Sequence, residues 1–311
     1  MLRKLAIALS GILLLSFVLA ACQTAGTAGN ETTDAKDEIT TESTKEEVND
    51  MGYEQFSDKD TLYVNKNNIT SYCNTNEALL PAGKKVTGIV LEFPGLDGNS
   101  CLGGTMNHMT TYNNAFTQEC AAKGLVVAYM FPGPWSWMNK GAVRIIDLVV
   151  DAFMDKYGFE TEEDFTLVVM GGSMGGLGAL IYTIDTRHTV DACVSHCPCY
   201  NVIECYDANP AFPRTFLAAV NDYDMPLEDA LKQISPEHRI ADMPDIPYIV
   251  TADELDDCFP YKGVQRLADK MSAAGLKVTY MFLEGQQHGG MSAEDRETVN
   301  EFIFKYSKSA N

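Results

Sequence analysis

From residue 61 to residue 306 two hydrophobic patterns alternate along the chain. Short runs of apolar and β-branched residues at 86–93, 125–131, 165–170, 190–194, 248–251 and 278–283 predict strands. Between them, apolar residues recur three and four positions apart. The segment 141–157 puts Ile145, Leu148, Val149, Ala152 and Phe153 on one stripe, the mark of an amphipathic helix. Further helices are expected at 105–123, 177–183, 227–234 and 292–305. Strands and helices in this order predict an α/β fold, a mostly parallel sheet covered by helices on both faces. The run at 165–170 is nearly all apolar, as a central strand buried on both sides must be. One stretch breaks the alternation. Residues 200–245 carry Asn209-Pro-Ala-Phe-Pro213 and only one short helical piece, and a connection this long inside a compact domain is expected to be a small cap insertion. The bland alternative is a loosely packed surface connection. No internal repeat is present.

The beginning of the chain follows different rules. Residues 1–21 have a basic start at Arg3 and Lys4, an apolar run, and small residues before Cys22. That is the layout of an export signal, and the run falls slightly short of the ~20 residues that a spanning helix requires. Leu19-Ala-Ala-Cys22 resembles the lipobox of bacterial lipoproteins, which implies lipidation of Cys22 and anchorage at the outer face of a bacterial membrane. Residues 22–60 are then polar and acidic, too poor in large apolar groups to offset their ordering entropy, and are read as a disordered tether. The domain proper is expected at 61–311. The net charge of −20 over the whole chain makes a surface that nucleic acid and anionic lipid repel.

Nine cysteines are present, eight once Cys22 is set aside, and an even number in an exported chain permits disulfides without selecting their pairing. The cluster Cys193-Val-Ser-His-Cys-Pro-Cys199 invites comparison with a zinc site. Its Cys-Pro-Cys spacing is too tight for the usual knuckle and no second knuckle follows, so no metal is expected.

The candidate chemistry lies in Val168-Val-Met-Gly-Gly-Ser-Met-Gly-Gly-Leu-Gly-Ala-Leu180. A glycine-rich turn from strand to helix can cradle a phosphate at the helix N-terminus. The spacing here matches neither the dinucleotide fingerprint nor the P-loop. It does fit G-x-S-x-G at Gly171-Gly-Ser-Met-Gly175, which presents Ser173 at the tip of a strained turn as a nucleophile. The helix N-terminus there favours negative charge on a reaction intermediate. A serine needs a base within hydrogen-bond reach and a group that orients that base.

With this motif and its flanking strand and helix, the segment 61–306 resembles the α/β-hydrolase superfamily, most closely the esterase and prolyl-oligopeptidase-like branch, in which Gly-Gly-Ser-Met-Gly-Gly is frequent. The resemblance implies an α/β-hydrolase fold and an order of Ser, acid, His along the chain. Of the five histidines, only His288 falls between the last strand and the last helix, where the family carries its base. In Thr251-Ala-Asp-Glu-Leu-Asp-Asp-Cys-Phe-Pro260 the family pattern selects Asp256 as the acid, with Asp257 and Asp253 as alternatives. Asp253 stands where the family often has glycine. The oxyanion donors implied are the N–H of Met174 and one from the loop 92–98, at Leu96 or Gly95. Pro94 stands there in place of the family's histidine.

These residues imply two-step acyl transfer without a cofactor: Ser173 attacks, His288 moves the proton, and Asp256 orients His288. The substrate expected is a small or carbohydrate-linked ester. Trp135 and Trp137, the only two tryptophans, lie at the ligand-binding edge of the sheet and are candidates for stacking on a sugar or an aromatic acyl group. Simple packing of the next helix is the alternative. An exopeptidase or amidase of the same branch is the second reading, although nothing in 23–86 could form the large propeller usual in those peptidases. A binding lipoprotein without catalysis is the third.

Overall fold

The computed structural model describes residues 64–96 and 112–308. The export signal, Cys22, the tether, Cys101 and His108 lie outside the described residues. Seven strands form one sheet: β1 (Cys73–Thr75), β2 (Gly88–Phe93), β3 (Leu125–Met130), β4 (Thr166–Gly172), β5 (Ala192–His196), β6 (Pro247–Asp253) and β7 (Lys277–Leu283). Their order across the sheet is β1-β3-β2-β4-β5-β6-β7, and only the edge pair β1·β3 is antiparallel. β4 sits at the centre, where Leu167, Val168 and Val169 are wholly buried. Both of its faces are covered, which is why this strand is apolar at successive positions instead of alternating.

Among the described residues there are seven helices: α1 (Ala115–Lys123), α2 (Lys140–Tyr157), α3 (Met174–Asp185), α4 (Phe212–Ala219), α5 (Leu227–Gln233), α6 (Tyr261–Ala273) and α7 (Ala293–Lys305). α2 begins where the Asn139 side chain accepts the Ala142 N–H at 2.9 Å and ends at Gly158, whose φ of 70° suits glycine. Its stripe Val143, Ile146, Val149, Val150 and Phe153 is buried. α1 starts later than its periodicity suggested. Asn114 and Thr117 close a reciprocal capping box that fixes the first turn at Ala115, and 112–114 are not helical.

The insertion between β5 and β6 divides in two. Its first half brings Asn209, Ala211, Phe212, Arg214 and Thr215 into a cleft that Ser173 and His288 also line. In its second half α5 and the turn Pro236–His238 pack back on the body, and that turn touches α3 and α6. Glu237 ties it down through Arg266 at 2.7 Å and Lys270 at 2.8 Å. All seven cysteines among the described residues are free thiols, six of them buried, so they serve there as small core residues.

Candidate active site

β4 runs directly into α3, and Ser173 is the hinge between them. Its φ of 59° and ψ of −122° are outside the regions an L-residue prefers, and the surroundings hold it there. Its N–H donates to the His196 carbonyl at 3.0 Å, and its carbonyl accepts the N–H of Gly176 at 3.0 Å. Two glycines permit the crossing. A Cβ on Gly175 would overlap the Phe93 carbonyl, and one on Gly176 would lie 2.6 Å from the His196 carbonyl oxygen. The turn is therefore wedged between the ends of β2 and β5, with the serine hydroxyl directed into a cleft of about 970 Å³.

His288, in the β7–α7 loop, accepts from the Ser173 hydroxyl at Nε2, 2.9 Å away. Its Nδ1–H donates to Asp256 Oδ2 at 2.8 Å. The other Asp256 oxygen accepts the N–H groups of Cys258 and Phe259, each at 2.8 Å, so the carboxylate is fixed by the backbone of its own loop. Of the three aspartates in this segment Asp256 alone bonds the His288 ring. Asp257 is exposed, and Asp253 bonds the Gly289 N–H at 2.8 Å instead. Burial of His288 opposes its imidazolium, but the hydrogen bond and charge of Asp256, aided by Asp253 and Asp257, outweigh it and raise its pKa above 6.5. The Phe259 ring meets the imidazole edge-on at 5.5 Å and completes its seat.

Met174, first residue of α3, carries one of the first-turn amides for which a helix has no acceptor of its own. Its side chain is buried, and its N–H follows Ser173 directly along the chain. Gly95 and Leu96 line the same cleft as Ser173, and the Cα of Gly95 is close enough that an added Cβ would stand 4.0 Å from the Ser173 Cβ. The oxyanion candidates are thus grouped at one edge.

The two tryptophans separate. Trp135 lines the cleft, with the Arg214 guanidinium 4.5 Å above its ring. Trp137 is wholly buried, 4.3 Å from Phe216 and 5.7 Å from Phe212 between ring centroids, and its Nε1–H donates to Thr215 Oγ1 at 3.1 Å. The expectation that it binds substrate is corrected: it anchors the insertion to the body. Several cleft residues carried no signal of their own, among them His196, Arg214 and Glu92, whose carboxylate accepts from the Tyr112 hydroxyl at 2.7 Å. α4 could have been found, since Phe212 and Phe216 are four apart with Pro213 in the first turn.

The family model of the prolyl oligopeptidase family matches residues 139–310, more than half of the chain and all of the Ser173, Asp256 and His288 segments. The chain belongs to the prolyl oligopeptidase family. Its fold is accordingly that of the α/β-hydrolases. Among solved structures, the acylaminoacyl peptidase of Pyrococcus horikoshii superposes with a TM-score of 0.58 at 14% identity, over 74% of this chain and 38% of that one. A puromycin hydrolase gives 0.57 at 16%, over 73% of this chain and 34% of that one. Esterase B of Lactobacillus rhamnosis gives 0.55 at 14%, over 73% and 78%. At such identities the likeness is one of fold, and this chain spans little more than a third of the peptidases' length. No curated protein matches the sequence.

Proposed function

We propose that this member of the family is a carboxylesterase acting on small or carbohydrate-linked esters, exported and held on a bacterial membrane through a lipidated Cys22. The observation that carries the catalytic part is the unbroken line Ser173 Oγ, His288, Asp256, with spacings of 2.9 and 2.8 Å, opening into the cleft. In the reaction Ser173 Oγ bonds to the ester carbonyl carbon while its proton passes to His288 Nε2. The carbonyl oxygen, now negative, is taken by the Met174 N–H and by an amide of Gly95 or Leu96, each donor being worth about 10²–10³ in rate. His288 returns its proton to the departing alkoxide, and a water attacks the acyl-serine by the same route. Asp256 holds the imidazole in the tautomer that each step requires.

The ester reading draws on the fold that this chain shares with esterase B. Trp135 offers a flat apolar wall for the group on one side of the ester. Membrane anchorage rests on the basic start, the apolar run and Leu19-Ala-Ala-Cys22. A fluorophosphonate probe is expected to label wild-type protein and not Ser173→Ala. Folded wild-type protein that resists the probe refutes the catalytic reading. p-Nitrophenyl esters should be turned over in preference to aminoacyl anilides, and the opposite preference would make the protein an exopeptidase or amidase. Incorporation of a fatty-acid analogue, lost in Cys22→Ser, tests the anchor.

A further inference from the structure

Behind the line of catalytic groups lies a second acid and a second imidazole that the acyl-transfer reading leaves without a task. Asp253 ends β6 and is wholly buried. Its Oδ2 accepts the N–H of Gly289, the residue after His288, at 2.8 Å. Its Oδ1 has no hydrogen bond among the described residues and lies 3.9 Å from His196 Nδ1. His196 ends β5, with its Nδ1 2.6 Å from Thr251 Oγ1 and its Nε2 buried with no hydrogen-bond partner among the described residues. The carbonyl of the same His196 takes the Ser173 N–H. One residue of this pair thus holds the nucleophile's turn, and the other holds the loop of the base.

We propose that Asp253 and His196 are a buried acid–imidazole pair of positioning residues, which clamps the Ser173 turn and the His288 loop against each other across the tips of β5 and β6. A carboxylate with one oxygen unbonded in the interior is expensive. Such a group persists where its partners over-determine it, and each partner here is part of the catalytic frame. The attacking oxygen and its base must hold a near-attack geometry, and a misplacement of about 1 Å costs roughly 10² in rate.

The clamp also sits among titratable groups, and burial pushes both of its members toward their neutral forms. The groups facing Asp253 are His196 from β5, Cys197 from the connection that follows, Asp256 from its own loop and His288 from the β7–α7 loop. One oxygen of each of the two carboxylates, the Cys197 Sγ and a His288 nitrogen lie within 4.8 Å of one another. Burial disfavours the charged form of Asp253, and Asp256 adds to that, while His196 and the Gly289 amide work in favour of charge. Burial likewise disfavours the imidazolium of His196, which Asp253 supports and which His288 and Arg296 oppose. The imidazolium of His288 is favoured by both carboxylates.

The inference rests on the Ser173, His288, Asp256 reading, and the test separates the two. Asp253→Gly removes the acceptor, and Asp253→Asn keeps an acceptor oxygen while removing the charge. In Asp253→Gly, kcat for a p-nitrophenyl ester and the rate of fluorophosphonate labelling should fall about 10–100-fold with KM within about twofold. Asp253→Asn should recover most of that loss. In the Asn variant the acid limb of the kcat/KM profile should move to lower pH, and the His288 imidazole, followed by NMR, should move with it. A wild-type kcat in Asp253→Gly, a loss expressed in KM instead, or an unmoved limb in Asp253→Asn overturns the proposal. If Asp253→Gly does not fold, the limb of Asp253→Asn decides alone. Wild-type protein that never labels refutes the catalytic reading and this inference together. Labelling that requires Ser173 but ignores both Asp253 variants refutes this inference only.

Discussion

Asp256→Asn separates orientation from scaffolding in a single substitution. Asp256 accepts three hydrogen bonds of 2.8 Å, from His288 Nδ1 and from the amides of Cys258 and Phe259. Asparagine keeps an oxygen for the two amides but turns an NH₂ toward His288. Nδ1 must then accept, the ring proton moves to Nε2, and Nε2 can no longer take the Ser173 proton. The same exchange in a Ser-His-Asp triad on another fold costs about 10⁴ in kcat, which corresponds to about 5.5 kcal/mol of transition-state stabilisation. Stability should hold within about 1 kcal/mol, because both buried amides remain paired. Asp256→Ala strands those two amides at about 1–3 kcal/mol each, so it should lose activity and about 2–6 kcal/mol of stability. Initial rates on a p-nitrophenyl ester, labelling rates with the fluorophosphonate, and denaturant unfolding of both variants make the comparison. An Asn variant retaining more than a tenth of wild-type kcat would show that Asp256 does not set the tautomer. Equal destabilisation of the two variants would refute the assignment of the amide contacts.

Three further outcomes follow from the same geometry. His288 must be neutral to act as base and its pKa is raised, so kcat/KM should rise with pH through a midpoint above 6.5; a midpoint below that value contradicts the carboxylate support described. Trp137→Ala should cost about 3–5 kcal/mol in denaturant unfolding, whereas Trp135→Ala should raise KM several-fold and leave stability within about 1 kcal/mol; the reverse pattern would exchange their roles. Glu237, with its side chain 4% exposed, is held at a pKa of about 2: burial opposes its charge, and Arg266, Lys270 and Asn201 override that cost. A lowered carboxylate stabilises the fold above its unfolded pKa and loses that contribution as pH falls through the folded value. Glu237→Gln should therefore cost about 2 kcal/mol at pH 7 and flatten the loss of stability between about pH 4.5 and 2; an unchanged acid transition would refute the tie.

The strands and the sharp turn at Ser173 were legible because each is a local pattern under a strong constraint. A strand buried on both faces, such as β4, has to be apolar throughout, and a turn squeezed between Phe93 and His196 has to be glycine at 175 and 176. His288 and Asp256 were legible by order and by resemblance, since loops at the ends of successive parallel strands converge on one edge of the sheet. α6 passed unread although Val264, Leu267, Ala268 and Met271 are buried at helical spacing. β1 is three residues long, too short for a period to register.

The errors have a common origin in backbone that leaves its regular period. Trp135 and Trp137 are two apart, and in an extended strand that spacing would put both on one face. Trp135, Trp137 and Met138 instead take φ values of 53°, 44° and 53°, so one ring enters the cleft and the other the core. Asp253 was hidden in another way. The family pattern weighs a candidate acid here by its place between the strand end and Pro260, whereas the partners of Asp253 are the Gly289 amide and, at 3.9 Å, the ring of His196. Neither relation leaves a period or a motif, because each joins the tip of one strand to a loop from another. Regular elements are written in local spacing. The contacts that set the position of a nucleophile against its base are written between elements, and there the folded structure is the first place they can be read.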